Sequence, residues 1–266
     1  MASPRRTACP TRSWPRCASS ASSACRSRRN TAASASRWSR RRRSRSCTSP
    51  AFRSILGTNN GIGSQGLVID GTAEQKARYL PRLASGEWIA AFALSEPDAG
   101  SDPGGMRTHA VQDGDEWVID GVKNWITNAG VADRYTVFAA TDPSARASQR
   151  VTAFSVPADA PGFSVASLEH KMGMRGSPTG QLVFEDVEVA DEDVIGAVGD
   201  GFGIAMRTLD HSRLGIAAQG LGIAQGATDY AADYAKERRQ FGQPIAEFQA
   251  IQFKIADMET GNCAGR

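Results

Sequence analysis

The stretch THAVQDGDEWVIDGVKNWIT, residues 108–127, decides the fold class of this chain. It contains three short runs rich in β-branched and aromatic residues, which are typical of strands. Asp-Gly pairs at Asp113-Gly114 and Asp120-Gly121 interrupt the runs, and Asp-Gly is a strong signal for a hairpin turn. The stretch therefore predicts short antiparallel strands joined by hairpins. The three candidate strands are residues 108–112, 117–119 and 122–127.

Similar runs lie on both sides of that stretch. They are separated by Pro, Gly, Asp and Ser, with no helical period between them. Many short strands at this spacing predict an antiparallel barrel or sandwich. The further candidate strands are residues 88–94, 135–141, 151–156, 163–167 and 181–189.

Helical patterns flank the strands. Residues 72–83 predict a short helix with Thr72 as N-cap and Gln75 three residues on, ended by Pro81 and Gly86. After about residue 199, apolar residues recur at steps of three and four in two segments, which predicts two more helices. One face holds Leu214, Ala217, Leu221, Ala224 and Thr228, and the other holds Ile245, Phe248, Ile251, Ile255 and Met258.

Glycine and proline qualify these helices. Four glycines in the first of the two late helices predict the close approach of another backbone or a ligand, and Pro244 can occupy the first turn of the second. Gly61-Ile-Gly63-Ser-Gln-Gly66 matches a dinucleotide-binding fingerprint, but no strand precedes it, so we interpret it as close helix packing. Gly199–Gly203 is interpreted as a segment before a helix. The four glycines are Gly215, Gly220, Gly222 and Gly226.

The first fifty residues differ from the rest of the chain. They hold 13 Arg and no Lys, Asp or Glu, so the remaining residues carry 18 basic and 28 acidic side chains, a net charge of −10. Four of the five cysteines also lie there, leaving only Cys263 in an acidic body that fits a reducing compartment without disulfides. No apolar run is long enough for a membrane span.

Three interpretations of the basic leader stay open. It resembles a mitochondrial transit peptide in being rich in Arg and Ser and poor in acids. Its Arg40–Arg43 run could bind nucleic acid through counterion release. Its composition is also what a GC-rich gene yields in the wrong reading frame. The chain is thus predicted as an α+β protein in four parts: a non-globular segment 1–50, a remnant helical region 51–90, a middle β-domain 91–195, and an incomplete helical domain 196–266.

Five motifs resemble those of the acyl-CoA dehydrogenase family and follow the family's order. Their local sequences are most similar to those of its short-chain members. The resemblance covers about residues 51–259 and implies the family fold: a central β-domain that binds flavin, flanked by helical domains. It also implies that FAD is the cofactor. The motifs are AFALSEPDAGSD at 91–102, KNWITNAG at 123–130, KMGMRGS at 171–177, LDHSR at 209–213 and ERRQFG at 237–242.

The resemblance implies a role for each motif. Backbone around Phe92, Leu94 and Ser95 would line the isoalloxazine, Trp125 would lie against the ring face away from substrate, and Thr127 would donate near N5. Ile126 joins this cofactor set. Ser101 would lie between the flavin phosphate and the substrate. As alternatives, Trp125 could be a core residue and Ser95 a turn residue.

The later motifs imply contacts with phosphate and substrate. Arg238 would bind the FAD pyrophosphate of a neighbouring subunit, with Gln240 and Phe241 beside it. Asp210 and Arg213 would line the acyl-CoA site. A solvated helix face is the alternative for Arg238, and a structural salt bridge is the alternative for Asp210 and Arg213.

No catalytic base is assigned. Some family members place the base just before the arginine of the fourth motif, where this chain has Ser212, and a serine hydroxyl is no base near neutral pH. We expect both helical domains to be incomplete and the carboxylate that most members use to be absent. His109, His170 and His211 show no metal-ligand spacing, so no metal is expected.

The predicted function is FAD-dependent oxidation of an acyl-CoA to the 2-enoyl-CoA, by a protein that would pass electrons to an electron-transferring flavoprotein and form homodimers or homotetramers. Acyl-CoA oxidases and nitroalkane oxidases share the scaffold. The alternative is a non-catalytic flavin-fold protein whose basic leader binds nucleic acid. The expected location is the cytoplasm of a bacterium, or the mitochondrial matrix if the leader is a transit peptide.

Overall fold

Three helices precede eight strands in the computed structural model, which describes residues 50–266; the predictions for the leader lie outside this range. Two further helices follow the strands, with a short β-ribbon between them. The helices are α1 (Pro50–Asn59), α2 (Ile62–Asp70), α3 (Ala73–Ser85), α4 (Gly201–Glu237) and α5 (Gln249–Ala264). The strands are β1 (Ala90–Ala93), β2 (His109–Asp113), β3 (Glu116–Thr127), β4 (Arg134–Ala140), β5 (Val151–Pro157), β6 (Phe163–Leu168), β7 (Thr179–Ala190), β8 (Val194–Ile195), β9 (Arg239–Gln240) and β10 (Gln243–Pro244).

The eight strands β1–β8 form one sheet in the order β6-β7-β3-β2-β4-β5-β8, with β1 added beside β4. Most neighbours are antiparallel, but β1 and β2 each pair with β4 in parallel. The rings of Trp117 and Phe154, on strands that are not neighbours, lie 5.6 Å apart, and those of Tyr135 and Phe163 lie 4.8 Å apart. The sheet therefore curls over itself and encloses a core. The predicted α+β fold is confirmed, with the added detail of two parallel pairings.

The two Asp-Gly signals have different outcomes. Asp113-Gly114 makes the predicted hairpin, with Gly114 at φ 63° and Asp113 paired with Glu116. Asp120-Gly121 makes no turn, so the prediction of two strands at 117–119 and 122–127 is wrong. The chain continues as a single strand β3 because the register shift there is absorbed by a β-bulge against β7.

Gly121 is required by the close packing of β3 on Thr108. The residue has φ 146°, and a Cβ there would lie 2.6 Å from the Thr108 Cα. Opposite, Asp186 has φ 51° and its N–H donates to the Asp120 Oδ1 at 3.0 Å. The Asp-Gly pair therefore stabilises the bulge, Asp120 through a hydrogen bond and Gly121 by allowing close packing.

A second core lies between the outer face of the sheet and the helices. Leu67 of α2, Leu83 of α3 and Ile204 of α4 pack there against Phe92 and Phe138 of the sheet. Because β4 contributes to this core on one face and to the enclosed core on the other, all seven of its residues are buried. Strands covered on both faces have continuous apolar sequences instead of alternating ones.

Helix α3 begins as predicted and ends later than predicted. Thr72 and Gln75 form a reciprocal capping box, and Gly86 ends the helix in the left-handed conformation. Pro81 was predicted to end the helix with Gly86 but lies inside it. The helix continues through it because Leu83, beyond the proline, is buried in the outer core.

The remaining glycine and proline predictions have mixed outcomes. A Cβ at Gly63 would lie 2.9 Å from the Ala90 Cβ, in agreement with close packing of α2. Helix α4 begins at Gly201, so only Gly199 and Asp200 precede it, and the interpretation that the whole segment up to Gly203 lies before the helix is wrong. Pro244 lies in β10 and precedes a 3-10 turn, so it is not in the first turn of α5.

The close approach of another backbone to the glycines of α4 is not found within residues 50–266. A Cβ at Gly215, Gly220, Gly222 or Gly226 would contact no other part of residues 50–266. Among these residues no helix is both long and apolar enough to cross a bilayer.

Replacing Gly121 should separate the cost of close packing on Thr108 from the cost of positive φ alone, which Gly114 also has. Gly121→Ala places a Cβ against the Thr108 backbone at an unfavourable φ, and we expect a loss of about 3 kcal/mol or more in the free energy of unfolding. Gly114→Ala, with open space around it, should cost about 1 kcal/mol. Urea denaturation of both variants tests this, and equal losses would contradict the assignment of close packing at Gly121.

Candidate functional site

The first two motifs meet where β1 ends and the loop 95–108 begins. The Asn124 N–H donates to the Ser95 carbonyl at 2.8 Å. The Lys123 ammonium donates to the Leu94 carbonyl at 3.2 Å and to the Glu96 Oε1 at 2.7 Å. Residues from two motifs that are nearly thirty positions apart in sequence therefore share one site.

Glu96 and Lys123 form a buried ion pair at this junction. Their side chains are 5% and 0% exposed. Glu96 also accepts from the N–H groups of Arg107 at 2.6 Å and Thr108 at 3.1 Å, so its carboxylate holds the far end of the loop. Every oxygen of this carboxylate has a donor, which satisfies the requirement for burying a charge.

Burial and pairing act in opposite directions on these two groups. Burial lowers the pKa of the Lys123 ammonium to about 8, against the opposing effect of the Glu96 carboxylate. For Glu96, burial acts to raise the pKa, but Lys123 and the N–H donors outweigh it and hold the pKa below its usual value. The carboxylate is therefore charged at neutral pH.

Trp125 projects from a second bulge in β3. Lys123 pairs with Leu182 and Ile126 with Gly180, so one extra residue is accommodated in β3. Trp125 has φ 62° and is 60% exposed, while Lys123 and Ile126 on either side of it are buried. A bulky residue at positive φ stores backbone strain, and such strain is concentrated at functional sites. The alternative that Trp125 is a core residue does not hold.

The other predicted cofactor residues divide into backbone and hydroxyl groups. Phe92, Leu94 and Ile126 are buried in the two cores, so only their backbone can face a ligand. Ser95 and Thr127 are half-buried and Ser101 is exposed. Within residues 50–266 these three hydroxyls make no hydrogen bond, so they are available as donors.

A flavin fits this part of the chain. Its ring needs a flat contact surface and hydrogen-bond donors along its polar edge. The exposed indole of Trp125 provides the surface, and Ser95 and Thr127 provide donors in the same two motifs. The sequence did not single out Glu96 or Lys123, although a lysine within an apolar strand run and a glutamate inside the neighbouring motif were available as signals.

The third motif lies beside the second. Its Lys171 ammonium donates to the Ser177 carbonyl and to the Thr179 Oγ1, and the Asn128 N–H donates to the Pro178 carbonyl at 3.0 Å. Glu169, His170, Lys171 and Arg175 line a cavity of about 320 Å³ here. Asn128 is fully buried, and its amide donates to the Ala90 carbonyl at 2.9 Å, which ties the second motif to β1.

The fifth motif is not brought to this site. Arg238, Gln240 and Phe241 are exposed around the β9–β10 ribbon, and Phe241 is 93% exposed at φ 52°. Ala205, near the start of α4, is buried against the sheet, and Arg238 lies about 50 Å from it along the helix. The predicted pyrophosphate group and the predicted ring group therefore occupy separate parts of this chain.

The fourth motif lies on the exposed surface of α4. Asp210 and Arg213 form an i,i+3 ion pair at 2.7 Å, with both side chains about two-thirds exposed. The salt bridge that was the alternative interpretation is therefore formed. Exposed ion pairs of this kind contribute little to stability. The Ser212 hydroxyl donates to the Leu209 carbonyl at 3.1 Å, a local helical bond.

Comparison with known proteins matches most of the described chain to models of one protein family. Three family models match in order: the acyl-CoA dehydrogenase N-terminal domain at residues 43–87, the middle domain at 91–187 and the C-terminal domain at 199–266. The short-chain specific acyl-CoA dehydrogenase of Clostridium acetobutylicum is 50% identical over 205 residues, 77% of this chain and 54% of that protein.

Solved structures of acyl-CoA dehydrogenases also match this chain. Butyryl-CoA dehydrogenase from Megasphaera elsdenii matches with a TM-score of 0.79 at 42% identity, over 81% of this chain and 56% of the other. Acyl-CoA dehydrogenase from Bacillus anthracis, complexed with FAD, matches with a TM-score of 0.76 at 40% identity, over 80% of this chain and 36% of the other. The chain spans about half the length of the curated relatives it matches.

The energetics of the ion pair can be measured directly. Lys123→Met leaves the Glu96 charge buried and unpaired, and should cost about 3–5 kcal/mol of unfolding free energy. Glu96→Gln/Lys123→Met removes both charges, keeps an amide oxygen for one of the two loop N–H groups, and should recover part of that loss. Chemical denaturation of the two variants and the unsubstituted chain gives the comparison.

The same set of chains tests the charge on Glu96. Because its pKa is lowered in the folded protein, its contribution to stability is present above the ordinary carboxyl value of 4.5 and is lost as the pH falls through the folded value. The unsubstituted chain should therefore lose stability relative to the double variant as the pH falls below 4.5. A difference between them that stays constant with pH would contradict a charged, paired Glu96.

Proposed function

Because the chain belongs to the acyl-CoA dehydrogenase family, we propose that the surface around Trp125 binds FAD and that the protein dehydrogenates an acyl-CoA thioester to its 2-enoyl-CoA. The observation that carries the proposal is Trp125 itself, an exposed aromatic residue held at positive φ between the buried Lys123 and Ile126. Stable folding alone gives no reason for such an arrangement.

In the proposed site the chain's own residues bind and orient. FAD, when bound, supplies a hydride acceptor for the β-carbon of the substrate. Trp125 offers its indole to one face of the ring, and the Ser95 and Thr127 hydroxyls donate along the ring edge. Phe92 and Leu94 are buried, so this side of the site excludes water. Hydrogen bonds are stronger in such a low-dielectric environment.

The substrate side is proposed for Ser101, Asp210 and Arg213. Ser101 lies on the loop that leaves the flavin-binding strand, and Asp210 and Arg213 lie on α4. Arg213 offers a planar cation for an anionic group of the acyl-CoA, and Asp210 orients it through their ion pair at 2.7 Å. No residue is assigned as the base that removes the α-proton, and Ser212 has its hydroxyl bonded within the helix.

Completion of the cofactor site by a second copy of the chain is what the family resemblance implies, and the distance between Arg238 and the sheet supports it. Arg238 is the proposed ligand for the FAD pyrophosphate, with Gln240 and Phe241 beside it, yet it lies about 50 Å along α4 from the sheet. We therefore propose a homodimer, or a tetramer built from such dimers, in which Arg238 serves the neighbouring subunit. An electron-transferring flavoprotein is the proposed electron acceptor.

Replacement of Trp125 tests the proposed ring contact. Trp125→Ala should weaken FAD binding by about fivefold or more, because loss of one stacking contact costs about 1–3 kcal/mol. Val111→Ala removes an equally exposed apolar side chain from the same sheet and should leave binding unchanged. The measurement is a titration of FAD followed by flavin fluorescence and visible absorption. An unsubstituted chain that binds no FAD would contradict the proposed function.

Mixing two defective chains tests the shared site. Trp125→Ala and Arg238→Gln should each bind FAD weakly alone, because each lacks one side of the site. In a mixture that is unfolded and refolded together, about one quarter of the sites should regain normal affinity, since half the dimers are mixed and each mixed dimer has one intact site. No recovery would contradict a site shared between subunits.

A further inference from the structure

We propose that the buried Glu96–Lys123 ion pair is the positioning device of the flavin site, holding Trp125 and the 95–108 loop at a fixed separation. The inference rests on the proposed function, since it concerns the surface proposed to bind the ring. Neither residue touches that surface directly, because both side chains are buried. They act through the residues next to them.

The pair joins three separate backbone segments. The Lys123 ammonium contacts the Leu94 carbonyl at 3.2 Å, the Glu96 Oε1 at 2.7 Å and the Met106 Sδ at 3.8 Å. Glu96 in turn accepts from two N–H groups at the far end of the loop, those of Arg107 and Thr108. A single ionic contact therefore fixes the start of the loop, its end and the strand that carries Trp125.

Trp125 depends on this anchor because its conformation is unfavourable by itself. A bulky residue at positive φ costs about 1–2 kcal/mol and persists only where its surroundings determine it. On one side Ile126 is buried in the enclosed core, and on the other Lys123 is held by the ion pair. The Asn124 N–H, between them, donates to the Ser95 carbonyl at 2.8 Å. The bulge is thus clamped at both ends.

Stability alone does not account for the pair. Replacing a buried ion pair by uncharged groups that fill the same volume is often neutral or stabilising. What such a replacement removes is the fixed distance and direction of the contact. Here that distance separates the loop with Ser95 and Ser101 from the strand with Trp125 and Thr127, which are the two sides of the proposed ring site.

A second ion pair with little exposure, between β4 and the 3-10 turn at Asp191–Asp193, provides the control. Arg134 and Asp193 lie 3.5 Å apart, with side chains 9% and 11% exposed. Arg134 pairs with Ala90 at the start of β1, whereas Leu94 follows the other end of the strand. Neutralising this pair as Arg134→Met/Asp193→Asn perturbs a comparable contact away from the loop 95–108.

The decisive experiment compares the two pairs by titration with FAD. Glu96→Gln/Lys123→Met should raise the dissociation constant for FAD by about tenfold or more, the scale seen when the partner that orients a ligand-binding side chain is lost. Arg134→Met/Asp193→Asn should leave it unchanged. Urea denaturation of each chain, run in parallel, separates an effect on binding from an effect on folding.

A second experiment tests whether the ion pair affects FAD binding through Trp125. In a Trp125→Ala background the Glu96→Gln/Lys123→Met change should weaken binding by much less than in the unsubstituted chain, because contacts that share one route are not additive. Full additivity would overturn the positioning role. If the double variant does not fold, Glu96→Asp serves, since it keeps both charges and shortens the side chain that fixes the distance of the contact. Unchanged affinity in that variant would also overturn the proposal.

The outcomes distinguish this inference from the proposed function. If the unsubstituted chain binds FAD and the double variant binds it equally well, the positioning role is wrong and the proposed function stands. If the unsubstituted chain binds no FAD, the proposed function fails and the positioning role fails with it.

Discussion

The central constraint on this structure is that β4 is covered on both faces. The strand pairs with β5 in antiparallel and with β1 and β2 in parallel. One face packs into the core enclosed by the curled sheet and the other packs under α2, α3 and α4. Because β1 is held beside β4, the point where β1 ends is fixed relative to β3, and that point is where the proposed cofactor site lies.

Much of the fold could be predicted because its signals are local. The capping box of α3 needs only Thr72 and Gln75, and the β2–β3 hairpin needs only a glycine at positive φ. The second Asp-Gly pair failed as a prediction because its outcome depends on β7, which supplies the partner residues of the bulge about 65 positions later. Pro81 failed for a related reason, since the burial of Leu83 outweighs the lost hydrogen bond.

The sequence proposed residues for the candidate site, but it could not predict how the fold brings them together. The motifs pointed to Trp125, Ser95 and Thr127 through their resemblance to a family. The Glu96–Lys123 contact could not be read from sequence because a lysine in a strand is usually exposed, and only the tertiary fold brings it to a glutamate 27 positions away. The separation of Arg238 from the sheet likewise follows from the uninterrupted length of α4, which four glycines made difficult to foresee.

Helix α4 is long, and among the described residues it is held to the sheet only near its start. Within residues 50–266 it is 37 residues long, and its buried contacts with the sheet and α2 are concentrated in the first two turns, at Ile204, Ala205 and Thr208. A tilt of about 5° at that base moves the far end by about 4 Å over a length of about 50 Å. The packing around Gly66 and Ile204 therefore determines where Arg238 lies, because a small rotation near the sheet becomes a larger displacement at the far end of α4.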